Sequence, residues 1–78
     1  MNLYLISQKE NNDWDTFDSA VVCATTEIAA QKIHPGGYDE ESWSTENWCA
    51  QENVKVKYLG IADDSLKTGI VCASYNAG

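Results

Sequence analysis

His34, Cys23, Cys49 and Cys72 are the side chains of this chain that could hold a transition metal, since imidazole and thiolate are the ligands of structural zinc. Such sites draw their ligands in close pairs, and here no C-x-x-C or H-x-x-x-H pair exists. Cys23 and Cys72 lie in short apolar runs, where cysteine behaves as a small buried hydrophobe. No feature places a thiol in an electropositive, exposed position, so a Cys/His nucleophile is set aside as well. His34 stands where a helix should end, and an imidazolium gains there from the helix dipole. The expectation is free thiols, no metal and no cofactor.

The carboxylates form two groups, Asp13, Asp15 and Asp18 in one stretch and Asp39, Glu40, Glu41 and Glu46 in another. The first has the odd spacing of a calcium loop, but an EF-hand needs Gly at its sixth position and Glu at its twelfth, which counted from Asp13 are Asp18 and Ala24. Paired acids for glycoside hydrolysis need a cleft on a rigid scaffold, for which a chain this small has little room. Gly36-Gly37 follows a helical run instead of opening one, and no Gly-Lys-Ser/Thr motif is present, so no phosphate loop is expected. The chain is therefore not read as an enzyme. What remains is a combination of acids and rings: Trp14 and Phe17 in the first stretch, Tyr38, Trp43 and Trp48 in the second. Aromatic residues beside carboxylates suit a basic protein surface. The candidate contact residues are Asp13, Trp14, Asp15, Phe17, Asp18, Asp39, Glu40, Glu41 and Trp43. The competing reading is that the tryptophans, Trp43 and Trp48 above all, pin long loops to a small core.

Charge narrows the partners. Twelve acids stand against five lysines and no arginine, a formal charge of -7 on 78 residues. That field repels nucleic-acid phosphates and anionic membranes and attracts basic proteins. Met1 to Ile6 is too short and unflanked for a signal peptide, and no apolar run approaches the roughly 18 residues of a membrane span. A cytoplasmic protein is expected, in keeping with an odd number of cysteines. A chain of this length makes one domain, residues 1–78, and its thin margin of stability makes a homodimer the alternative way of completing the core.

The elements that position these groups follow from periodicity. Asn2–Ser7 reads as a strand in which Leu3 and Leu5 alternate against Tyr4 and Ile6, both faces being apolar. After the polar stretch Gln8–Asp18, Ser19–Ala24 reads as a second strand. Thr25 is placed to cap a helix of about three turns, with Glu27 in its first turn, Ile28, Ala29, Ala30 and Ile33 on its apolar face, and His34-Pro35-Gly36-Gly37 as its stop. Tyr38–Asn53 has no clean period, and a helical turn is expected near Glu46–Cys49. Val54–Ile61 alternates Val54, Val56 and Tyr58 with Lys55 and Lys57, the lysines guarding a sheet edge. Ile70–Tyr75 is the fourth strand. The fold class is α+β, a small antiparallel sheet with one helix packed on a face, in the order β-β-α-β-β.

The strings Tyr4-Leu5-Ile6-Ser7-Gln8, Asp15–Ala24 (DTFDSAVVCA), Ile33-His34-Pro35 and Val71–Gly78 (VCASYNAG) resemble a family of small uncharacterised proteins of bacteria and their phages and prophages. The resemblance spans nearly the whole chain and brings no catalytic motif. It implies a phage or prophage setting, in which small acidic proteins such as anti-CRISPR proteins inhibit host defence complexes by occupying basic nucleic-acid surfaces.

Overall fold

The computed structural model describes residues 1–11 and 14–76. Strand β1 (Asn2–Ser7) is central because both of its edges are paired. It runs antiparallel to β2 (Thr16–Ala24) on one side and to β3 (Lys55–Ile61) on the other, and β4 (Gly69–Asn76) closes the sheet against β2, giving the order β3-β1-β2-β4.

Register decides which residues share a face. Tyr4 pairs with Val22 and Tyr58, and Ile6 with Ala20 and Val56, so these alternate positions point one way. That side carries the core, in which Tyr4, Ile6, Ala20, Val22 and Ala24 meet Ala30, Trp48, Cys49 and Val54. The opposite parity, Leu3, Leu5 and Ser7 paired with Cys23, Val21 and Ser19, faces away. The 62–68 link joins the two edge strands. It ties back to β1 through Ala62 N–H to Met1 O (3.0 Å), and Cys23 is fully buried beside Met1, the two sulfurs 3.9 Å apart.

Several expectations need correction. The helix α1 is Glu27–Gln31, five residues and not three turns, and Thr26 caps it instead of Thr25, accepting the Ala29 N–H at 3.1 Å. The run ends early because the next amides, Lys32 and Ile33, bond three residues back, to Ala29 and Ala30, and His34 precedes a proline, which disfavours α backbone. So short a helix buries only Ala30 fully, and Ile28 stands exposed. The helical turn expected at Glu46–Cys49 lies instead at Gln51–Asn53, as a 3₁₀ turn. β2 begins three residues earlier than expected, with Asp18 as an extra residue in its pairing with β4. Cys72 is exposed, because β4 is an edge strand, while Cys49, outside any strand, is buried. β3 is the other edge, where Lys55 and Lys57 stand exposed. Among the described residues no helix is long and apolar enough to cross a membrane.

Candidate protein-recognition surface

The segment 34–49 carries four of the nine predicted contact residues, and one buried histidine organises it. His34 is 1% exposed. Its Nε2 lies 2.8 Å from the Ser44 carbonyl, which can only accept, so Nε2 bears the proton; its Nδ1 accepts the Gly36 N–H at 2.9 Å. Both ring nitrogens are thus committed with the ring neutral. Burial holds the imidazole below its ordinary range, with the Ser44 carbonyl acting weakly in the other direction. The imidazolium at a helix end expected from the sequence is therefore replaced by a neutral clasp. A Cβ on Gly36 would sit 3.1 Å from Nδ1 and from the Tyr38 ring, tighter than ordinary contact, so a larger residue there would press on the clasp. Tyr38 and Trp43 meet the imidazole edge-on at 4.9 Å each, with Trp48 at 6.3 Å.

Two tryptophans of this segment are anchors. Trp48 is fully buried, and Trp43, half-buried, donates its indole N–H to the Cys49 carbonyl at 2.9 Å. The acids lie outside this frame. Asp39, Glu40 and Glu41 are exposed; Asp39 Oδ1 accepts both the N–H and the hydroxyl of Ser42 at 2.8 Å, which holds its carboxyl below the usual range and keeps it charged. Lys32 reaches Glu40 at 3.4 Å across open solvent, a pair worth little.

The first loop is joined to the second by a residue to which sequence reasoning gave no role. The Asn11 side-chain amide donates to the carbonyls of Thr45 and Glu46 at 2.9 Å and of Trp48 at 3.3 Å. Gln8 holds Asn11 in turn, accepting its N–H at 2.8 Å and donating to its carbonyl at 2.6 Å and to that of Phe17 at 3.0 Å. Phe17 N–H bonds Asn47 O at 2.9 Å, so residues 45–48 lie between Asn11 and Phe17. Gln8 was legible as a buried polar residue, since it continues the inward parity of Tyr4 and Ile6. Asn11→Ala should cost about 1–3 kcal/mol, measured by urea denaturation, because three carbonyls lose their donor at once.

Of the predicted contact residues, Trp14 is the most exposed ring at 69%, and Asp15 and Asp18 are exposed as well. Asp15 takes φ 60°, a backbone region that aspartate tolerates. It lies against β4: its N–H bonds Asn76, and its carboxylate, after burial, raises the Tyr75 phenol above its ordinary range. Phe17 is half-buried and packs edge-on against Tyr75 at 4.8 Å, so its ring is turned to structure. Asp13 lies outside the described residues. The brace thus fastens the backbone of 45–48 to Asn11 and Phe17 of the first loop, while Asp15 and Asp18 lie against β4 and Asp39–Glu41 lie earlier in the second loop.

No family model, curated protein or solved structure matches this chain. Burial pushes the Cys49 thiol up to about 11, and the Glu10 carboxylate adds to the shift, so it is protonated at neutral pH. Among the described residues no three His, Cys, Asp or Glu side chains are placed to share a metal ion. An open concavity of about 310 Å³ between α1 and the 3₁₀ turn is lined by Gln31, Gln51 and Glu52, and it brings one carboxylate and no partner base or nucleophile.

Proposed function

We propose that this protein is a binding protein of phage or prophage setting that occupies a basic, nucleic-acid-binding surface of a host protein, in the manner of an anti-CRISPR inhibitor. The observation that supports this most is Trp14. It is an exposed indole beside Asp15 on a loop that Asn11 fastens to a second acidic loop. An indole left in water offers a large contact area at small entropic cost, and the surrounding carboxylates steer a cationic partner and repel nucleic acid. Fixed loops lower the ordering cost of binding. The surface is thus suited to compete with a phosphate backbone for one groove.

The test is affinity capture from a bacterial lysate, repeated with duplex DNA as competitor and at raised salt. Captured proteins should be nucleic-acid binders, they should be released by the DNA, and capture should weaken as salt rises. Capture that neither DNA nor salt alters would contradict the reading.

A further inference from the structure

An antiparallel sheet leaves one face to water when the side chains on that face are polar. β3 obeys this with Lys55 and Lys57, but the central strands do not. Leu3 and Leu5 of β1 and Val21 of β2 share the face opposite the core, Leu5 lying between Val21 and Lys57 in register, and Val21 pairs onward with Cys72 of β4. Leu3, Leu5 and Val21 are half-buried there, and Val71, the extra residue of the β4 bulge, is exposed. The helix and the tryptophan-bearing segment pack on the other side, since Ala30, Trp48, Cys49 and Val54 all belong to the cluster of Tyr4, Ile6 and Val22. A sheet with an apolar centre on both faces calls for a second layer.

We propose that a second copy of this chain supplies that layer, the two sheets stacking face to face about a twofold axis parallel to the strands. The order β3-β1-β2-β4 then lays β1 on the partner's β2 and β3 on the partner's β4. Leu5 meets Val21 of the other copy at the centre, since the two share a level in the sheet. Lys55 shares its level with Ser7, Ser19 and Ser74, and Asp18 reaches the Ser74 hydroxyl at 3.4 Å, so each Lys55 faces the other copy's Asp18. An axis across the strands would instead set β3 on β3 and crowd four lysines together. The charge pattern therefore selects both the occupant and the axis.

Four strands of this length present about 400 Å² per copy, taking about 4.8 Å between strands. The total of roughly 800 Å² is below that of a standard stable interface, so the dimer is weak, half-formed on the order of 100 µM. Of the acidic residues grouped with the two loops only Asp18, the extra residue of β2, takes part.

Sedimentation equilibrium under reducing conditions, from about 10 µM to about 1 mM, spans that range. The average mass should climb from 8.6 kDa toward twice that value. Leu5→Lys should stay monomeric throughout with an unchanged circular dichroism spectrum. Because Lys55 and Asp18 are exposed, their exchange leaves folding intact: Lys55→Glu and Asp18→Lys should each weaken association about fivefold, and the double variant should recover most of the loss. Glu41→Lys with Glu46→Lys, which would abolish capture of a basic partner, should leave the mass profile unchanged. A wild-type chain monomeric at the highest concentration, a dimer that ignores Leu5→Lys, or a double variant no better than the singles would overturn the proposal.

Discussion

Trp48→Ala should leave the chain mostly unfolded at room temperature, with the far-ultraviolet strand signal lost. Trp48 is the largest fully buried side chain, and it joins the sheet residues to the 34–49 segment in one cluster. Truncating a buried tryptophan costs about 3–5 kcal/mol, and a domain of this size has on the order of 4–12 kcal/mol in total. The cost falls at the high end here, because the cavity would open between a sheet and an irregular segment whose Trp43 is already fixed by its bond to the Cys49 carbonyl. The indole N–H, however, finds no acceptor among the described residues, so it contributes a desolvation cost of its own. Trp48→Phe removes that donor and keeps most of the ring. It should therefore lose less than half of what the alanine variant loses, and urea midpoints of the two variants measure the contrast.

Acidification should loosen the second loop before it unfolds the sheet. His34 is the only histidine, and its folded pKa is depressed below the ordinary 6.5 by burial. The unfolded chain therefore takes up a proton at a higher pH than the folded chain does. The stability that the neutral clasp contributes is complete above about 6.5 and is lost as pH falls from there toward the folded pKa, by at most about 1.4 kcal/mol per pH unit. The geometry gives the reason: a proton on Nδ1 would point at the Gly36 N–H 2.9 Å away, donor against donor. Asp39 and Asp63, both lowered by hydrogen bonds from serines, work in a separate and more acid window. Their contributions are present above the unfolded value of 3.8 and fade as pH falls through their lower folded values. Melting followed by tryptophan fluorescence between pH 7 and 5 should show the His34 slope. His34→Asn should flatten that slope while lowering stability at every pH, and an unchanged slope in this variant would refute the assignment.

The strands were the legible part of this chain because alternation is a local signal. Asn2–Ser7 has the bounds the sequence implies, and Val56 and Tyr58 take the predicted parity, while Val54, expected to open the strand, lies just before it and is buried. The helix was overestimated because Ile28, Ala29, Ala30 and Ile33 fit a helical face whether or not the backbone continues, and only tertiary placement shows that the run stops at Gln31. The acidic surface was legible in composition, and the anchoring of Trp43 and Trp48 was legible in the need of a long segment for buried area. The clasp and the brace were not. Asn11 reaches 37 residues along the chain to Trp48, and His34 bonds a carbonyl ten residues away, contacts for which no spacing rule exists. The outward apolar parity of Leu3 and Leu5 was visible from the start. Its meaning depended on which side the helix would take, which the order of elements leaves open.

The central claim is that a partner reads Trp14 and the carboxylates beside it. It is tested most directly by comparing capture by the wild-type chain with capture by a Trp14→Ala, Asp15→Asn, Glu46→Lys variant of matched melting temperature. Asparagine is used at 15 because it accepts the positive φ there. The account predicts that the variant retrieves none of the salt-sensitive proteins bound by the wild type. Retrieval of the same proteins in the same amounts would show that binding lies elsewhere on the molecule.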